Sequence, residues 1–452
     1  MRDDADRQKL LSASYKRVLL ATLLLASTVN FMDRAIVTVV VEPMRVELGF
    51  TDTQIGLLQG LAFGLIYSIA TLPISRLAER LNRKKIIAVS TAIFSAMSAL
   101  CGTVGNFWQM FLCRAGVGVG EAAFTPPAQA LLADHYPAEK RASVIAIIAL
   151  GAPIGYLLGS LVGGFIAQTW GWRMVFFLSA IPGAIAVVAV SLFLREPPRG
   201  LVDGIRPSQE APPSFFEVLA HLWRKKSFRY MAAGGAIGLI GSYAVSQFSL
   251  PFMMRVHGLT LAEAGALFGV VGFLSVGAGN LLGGFGSDFL RRASPRWYCW
   301  LPAIGMGAAS VLYVIGFLSP SFVILMAATM VGGMMVLLFY APTYAVTQNM
   351  VTPRMRATAV GVLATVFGIV GAGLGPTLLG VVSDVFAHTA FDAGDYSAQC
   401  TSGKAVGDMS AVCAAAAASG LRSALASTGV MFAISAVLFM MASRTIEQDM
   451  NP

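Results

Sequence analysis

Residues 174–194 read Met-Val-Phe-Phe-Leu-Ser-Ala-Ile-Pro-Gly-Ala-Ile-Ala-Val-Val-Ala-Val-Ser-Leu-Phe-Leu. No charged side chain interrupts them. As a helix rising 1.5 Å per residue they cover about 30 Å, the thickness of a bilayer's hydrocarbon core. A strand would leave backbone groups unpaired in lipid, so the stretch predicts a membrane-crossing helix. Similar stretches fall at 18–41, 54–75, 86–105, 107–132 and 142–167, and then at 230–252, 263–284, 297–318, 321–346, 358–383 and 421–442. The expected fold is an all-α membrane protein with twelve transmembrane helices. The expected domains are a six-helix bundle at 1–194, a cytoplasmic linker at 195–229 and a second six-helix bundle at 230–452.

Composition points the same way. Of 452 residues, 56% are hydrophobic and 12% charged, and the mean hydropathy is +0.72. A soluble globule cannot hide so much apolar surface, which excludes a soluble enzyme and a nucleic-acid-binding module. The lipid bilayer is the first partner, and no nucleic acid is expected. Residues 2–17 are highly charged and precede no cleavage pattern, so no cleavable signal is expected.

The basic residues set the orientation. With the N-terminus inside, 25 of the 32 Lys and Arg fall in the tail and the turns on its side of the membrane. The opposite loops hold only Arg45, Arg173, Arg255, Lys404 and Arg422. By the positive-inside rule both termini are cytoplasmic, and the net charge of +9 reflects topology. The expected location is a bacterial inner (plasma) membrane, crossed many times, and a monomer is expected.

The two halves look related. PPAQALLADHYPAEKRAS (126–143) aligns with APTYAVTQNMVTPRMRAT (341–358), setting Pro127 on Pro342 and Arg141 on Arg356. The turn Ser75–Glu79 corresponds to Gly284–Asp288. Two tandem six-helix repeats predict a ligand site near the midplane and alternating access by rocking. Within the linker, Ser214-Phe215-Phe216-Glu217 is a capping-box pattern. It predicts a short helix over 214–226, lying on the inner membrane surface.

Cys400 and Cys413 share the long outer loop 384–420 and form a plausible disulfide. Cys101, Cys113 and Cys299 lie in spans as packing residues. The four His (135, 221, 257, 388) read as loop residues. No span carries a His or Cys cluster for a metal, or a nucleophile–base pair. There is no G-x4-G-K-[ST] phosphate loop. No cofactor, metal or enzymatic activity is expected.

Four ionisable residues lie well inside the predicted spans: Asp33 and Arg34 on span 1, Arg114 and Glu121 on span 4. Intramembrane charges usually pair and face a cavity. Asp33 lies about 12 Å and Arg114 about 10 Å from the outer end, so these two can pair. Glu121 lies about 21 Å deep, where Arg34 can reach it or a ligand. Asp33 and Glu121, with Arg114 beside them, are the expected proton-coupling group, and Arg34 is the ligand anchor. Asn30 flanks them. Phe63 and Tyr67 on span 2, Tyr243 and Gln247 on span 7, and Tyr340 and Tyr344 on span 10 suit contact with a ligand having an apolar body; each singly is also an ordinary packing residue.

Ser75-Arg76-Leu77-Ala78-Glu79-Arg80-Leu81-Asn82-Arg83-Lys84 closely resembles the G-x-L-A-D-R-x-G-R-R signature of the major facilitator superfamily. Ser75 replaces Gly and Glu79 replaces Asp, and both keep the chemistry. Ser75, Glu79, Arg80, Arg83 and the repeat's Asp288 form an expected gating latch, in which the acid meets a helix N-terminus or an Arg. Arg114-x3-Gly118-x-Gly120 resembles the superfamily's span-4 motif, and Gly151-Ala-Pro153-Ile-Gly155-x3-Gly159-x3-Gly163-Gly164 its fifth-helix pattern. The resemblance implies the major facilitator fold with two pseudo-symmetric bundles.

Within that superfamily, Asn30-Phe31-Met32-Asp33-Arg34, Gly118-Val-Gly120-Glu121-Ala122 and Arg195-Glu196-Pro197-Pro198-Arg199-Gly200 are similar to elements of the spinster family. That resemblance implies proton-coupled export of lysophospholipids or sphingosine phosphate. Asn-x-x-Asp-Arg and Arg-x6-Glu also resemble proton-coupled symporters of small organic anions. Span 7 carries no basic residue before Arg255, so a single anchor, Arg34, favours an amphipathic substrate with one anionic or zwitterionic head.

Overall fold

A computed structural model describes residues 10–198, 201–202, 214–352, 355–400 and 409–450. The first helices are α1 (Ala13–Leu48), α2 (Asp52–Gln59), α3 (Ile66–Arg80), α4 (Arg83–Cys101), α5 (Phe107–Ala122), α6 (Thr125–His135), α7 (Ala138–Ala149), α8 (Gly151–Trp170) and α9 (Trp172–Phe193). After the linker come α10 (Phe215–Arg224), α11 (Lys226–His257), α12 (Leu261–Leu290), α13 (Trp297–Leu318), α14 (Phe322–Leu337), α15 (Tyr340–Asn349), α16 (Arg356–Val366), α17 (Gly375–Thr389), α18 (Tyr396–Gln399), α19 (Ser410–Ser443) and α20 (Ile446–Met450). Two π-helical turns interrupt this order: π1 (Gly60–Leu65) and π2 (Phe367–Leu374). No strand occurs among the described residues.

Short polar residues start the helices where the sequence leaves a membrane face. Thr51 and Gln54 close a capping box on α2, with bonds of 3.2 and 3.0 Å. Asn82 accepts from the Lys85 N–H at 2.9 Å, and Asn106 from the Gln109 N–H at 3.0 Å. Gly258 ends α11 at φ 66°, a left-handed conformation that glycine adopts without a Cβ penalty.

Among the described residues, eleven helical segments are individually long and apolar enough to cross a membrane. The twelfth apolar stretch, at 107–132, is broken at Ala123–Phe124 into α5 and α6. The cause is local. Pro126 and Pro127 in the first turn of α6 have no N–H to donate back toward α5.

Several helices outrun their apolar stretches. Helix α1 continues to Leu48 rather than stopping at 41, and α11 continues to His257. Arg45 and Arg255, read as loop residues, therefore sit in helices, as does Arg422 in α19. The four His are helical too, in α6, α10, α11 and α17. Arg45 and Arg255 are held there by ion pairs with Glu42 and Asp52, which offset the cost of a buried charge.

By packing, the chain forms two compact units. One holds 1–40, 66–211 and 261–269; the other holds 41–65, 212–260 and 270–452. In the first unit, glycines explain how α8 reaches α1. A Cβ on Gly155 would meet the Thr28 carbonyl and lie 2.8 Å from the Met32 nitrogen; one on Gly159 would lie 2.7 Å from the Met32 carbonyl. These contacts brace the back of Asp33 and Arg34. Gly155→Leu is expected to force α8 off α1 and to destabilise the fold by about 1–3 kcal/mol, with lost transport. A melting temperature equal to that of the parent protein would remove this bracing role.

In the second unit, π1 and π2 pack on each other. A Cβ on Gly64 would lie 2.6 Å from the Ala372 carbonyl. The disulfide Cys400–Cys413 (Cα–Cα 5.5 Å) closes a small core of Ala387, Phe391, Tyr396 and Ala416.

Candidate transport site

In the first unit, α1 and α5 bring four charges together inside the protein. Arg114 donates to Asp33 at 3.2 Å, and both are almost wholly buried. Arg34 Nε donates to Glu121 Oε2 at 2.7 Å, and Arg34 Nη2 to Asn30 Oδ1 at 3.4 Å. The faces of Phe31 and Tyr67 bracket the Arg34 guanidinium at 4.8 and 4.7 Å. Such cation–π contacts hold a desolvated cation without consuming its hydrogen-bond donors. Ser98 donates to the second oxygen of Asp33 and lies 3.4 Å from Ser179. Tyr156, on α8, lies against Phe31.

Not every polar atom in this cluster is satisfied. Glu121 Oε1 and Asn30 Nδ2 are buried and have no hydrogen-bond partner among the described residues. An orphaned carboxylate oxygen in a water-poor interior is costly, so it is a favourable place for a proton or a ligand's donor.

Ser98, Ser179 and Tyr156 are absent from the sequence reading. A lone Ser or Tyr in an apolar span carries no pattern by which to find it. Phe63 lies in π1 and Tyr67 in α3, just past its end. Tyr67 joins the Arg34 site, whereas Phe63 falls in the other unit.

The second unit holds the other aromatic candidates. The Tyr340 and Tyr344 rings are 4.8 Å apart, and Tyr344 lies 6.1 Å from Phe367. Tyr243 passes beside Gly371. Gln247 is half-buried on the same helix as Tyr243.

A further charge cluster in this unit was not singled out in the sequence. Arg255 binds Glu42 at 2.6 Å and Asp52 at 2.8 Å. Arg45 binds the other Glu42 oxygen at 2.8 Å, and Ser383 donates to Asp52 at 2.7 Å. Asp384 accepts from the backbone N–H groups of Asp52 and Thr53, at the start of α2. A cavity of about 170 Å³ lies beside this cluster, lined in part by Thr51, Asp384, His388 and Tyr396. The signal was Glu42-x2-Arg45, a charged i,i+3 pair that hydropathy alone assigns to a loop.

The expected latch residues are distributed differently. Arg83 is buried rather than lying at a surface: it binds Asp134 at 2.5 Å and Glu196 at 2.8 Å, and donates to the Ala130 carbonyl at 3.2 Å. Arg80 and Asp288 are exposed, and Ser75 donates to the Thr71 carbonyl of its own helix. The Glu79 side chain lies outside the described residues. Arg83→Gln should strand two carboxylates and cost about 3 kcal/mol. Faster proteolysis within 195–229 would register that loss, and an unaltered cleavage rate would argue against it.

Next to this group, His135 is fully buried, with Nδ1 2.7 Å from the Leu131 carbonyl and its ring 5.5 Å from that of Tyr15. Burial pushes its pKa below the ordinary value, and Lys16 and Arg83 add to that. The folded state therefore holds His135 neutral. Its contribution to stability is present above the unfolded pKa of about 6.5 and is lost as pH falls below it. His135→Gln should flatten the fall in melting temperature between about pH 7.5 and 5.5; an equally steep fall in the variant would assign the acid sensitivity elsewhere.

Comparison with known proteins fixes the family. The sequence profile of the Major Facilitator Superfamily matches residues 23–376. The chain belongs to that superfamily. This transporter is 32% identical over 374 residues to an MFS-type efflux pump of Mycolicibacterium smegmatis, covering 80% of this chain and 83% of that protein. It is 23% identical over 389 residues to the mouse sphingosine-1-phosphate transporter SPNS2, covering 82% and 71%. The crystal structure of a bacterial homologue of the human lysosomal transporter Spinster, inward-facing and unoccupied, superposes with a TM-score of 0.87 at 31% identity, covering 97% and 99%. The transporter is thus a multi-pass membrane protein of the major facilitator fold, related to the spinsters, and not an enzyme.

Proposed function

We propose that this superfamily member couples proton movement to the transport of an amphipathic, lipid-like substrate with one anionic or zwitterionic head, of lysophospholipid or sphingoid phosphate type. It works by alternating access in a bacterial inner membrane, with both termini in the cytoplasm. The observation that carries the reading is the half-satisfied Arg34–Glu121 pair: one Glu121 oxygen holds Arg34, and the other is buried without a partner.

A proton on Glu121 removes the charge that holds Arg34. The guanidinium, still bracketed by Phe31 and Tyr67, then becomes available to an anionic headgroup. The converse follows by linkage: an anion on Arg34 weakens its hold on Glu121 and favours protonation there. Arg114 is committed to Asp33, which leaves Arg34 as one anchor for one headgroup charge. A partner bearing two or more carboxylates would find one cation in this cluster open to it, which disfavours a multiply charged small anion.

The test is uptake of a fluorescent lysophospholipid into proteoliposomes under an imposed pH gradient. Unlabelled lysophospholipid should compete, and a sugar acid should not. Competition by the sugar acid alone would replace the lipid reading with the organic-anion one. The absence of any gradient-driven flux of either would end the proton-coupled reading.

A further inference from the structure

We propose that α10 is a docking surface for the anionic phospholipids of the leaflet in which α11 begins. The inference is independent of what the protein transports.

The argument starts with how α10 is tied. Its Ser214 cap accepts from the Glu217 N–H at 3.2 Å, so the helix starts at a defined residue. At its other end a single residue, Lys225, separates it from α11, a membrane-crossing segment. Lys225 Nζ donates to the Asp449 carbonyl at 3.2 Å. The Asp449 carboxylate caps α11 through the Ser227 N–H and hydroxyl, at 2.8 and 2.6 Å. A joint one residue long, pinned at both sides, holds α10 at the depth where α11 enters lipid.

The helix also carries more apolar surface than the protein covers. Val218 and Leu222 are fully buried where α10 packs on α16 and α11. Phe216 and Trp223 remain 77% and 55% exposed. They lie seven residues apart, two turns on one face, about 130° around the helix from the buried Val218–Leu222 edge. An aromatic pair exposed at interface depth is suited to the boundary between headgroups and acyl chains.

Charge selects the kind of lipid. Arg224, Lys226 and Arg229 are all exposed and cluster at the same end as Trp223. Between Ser214 and Arg229 the only acid is Glu217, near the opposite end. Cations next to an inserted aromatic edge match a phosphodiester carrying net negative charge, and they gain less from a zwitterionic headgroup. A protein partner for the same face would need aromatic pockets and acids together, and its binding would not depend on lipid charge.

The experiment is hydrogen–deuterium exchange of the full-length protein in nanodiscs of phosphatidylcholine alone or mixed with phosphatidylglycerol. Amides of 216–224 are expected to exchange about tenfold more slowly in the anionic discs. The triple variant Arg224→Gln, Lys226→Gln, Arg229→Gln should lose that difference while melting like the parent. The double variant Phe216→Ser, Trp223→Ser should lose the protection in both lipids. Equal exchange of the parent in the two lipids overturns the proposal, as does protection that survives the triple variant.

Discussion

Arg255→Gln is expected to open the Glu42–Asp52 cluster and raise the alkylation rate of a Cys placed at Ala417 by at least about tenfold. The reasoning is electrostatic. Arg255 donates to both carboxylates, and all three side chains are less than a tenth exposed. Removing one member of a buried ion pair typically costs about 3–5 kcal/mol, mostly by leaving the other charge desolvated. Here two carboxylates are stranded, and Arg45 compensates only Glu42. Glu42 and Asp52 can recover solvation without global unfolding if the end of the unit carrying the 400–413 disulfide admits water. Ala417 lines the adjacent cavity and is buried, so it reports that change. Glu42→Gln combined with Arg255→Gln should restore part of the protection, because one stranded charge is gone. If the single variant alkylates at the parent rate and melts at the parent temperature, the cluster holds nothing shut.

Glu121→Gln is expected to reduce pH-gradient-driven flux to background, a loss of about a hundredfold or more. It removes the carboxylate whose protonation would free Arg34 for the substrate's headgroup, and it leaves Arg34 buried beside an uncharged amide. Folding damage and lost coupling must be told apart. Arg34→Gln with Glu121→Gln has no stranded charge and should melt near the parent temperature, yet still fail to transport. Asp33→Asn disturbs the Arg114 partner instead, and the bond from Ser98 keeps the side chain in place. It should abolish accumulation while permitting slow counterflow, since binding at Arg34 is retained. Gradient-driven accumulation at the parent level in both Glu121→Gln and Asp33→Asn would remove proton coupling from these carboxylates.

The helical class and the central charges were legible because they rest on strong, short-range physics. Apolar length fixes the spans, and depth along spans 1 and 4 pairs Asp33 with Arg114 and Arg34 with Glu121, the partners joined in the structure. What stayed hidden depends on neighbours distant in sequence. Arg255 reads as a loop cation until Glu42 and Asp52 are beside it. Arg83 reads as a surface latch until Asp134 and Glu196 enclose it. The π turns leave no mark in composition, and the approach of Gly64 to the Ala372 carbonyl joins residues far apart in sequence.

The break at Ala123–Phe124 has a bearing on topology mapping. Its two pieces, α5 and α6, are each too short to register as a crossing, and the stretch also contains Arg114 and Glu121. A window-based count that drops it returns an odd number of crossings. Parity then puts the ends of the chain on opposite sides of the bilayer, and every reporter fusion placed after residue 135 would be scored with inverted polarity. A phosphatase or fluorescent-protein fusion at the α8–α9 turn, near Gly171, would reveal that inversion directly.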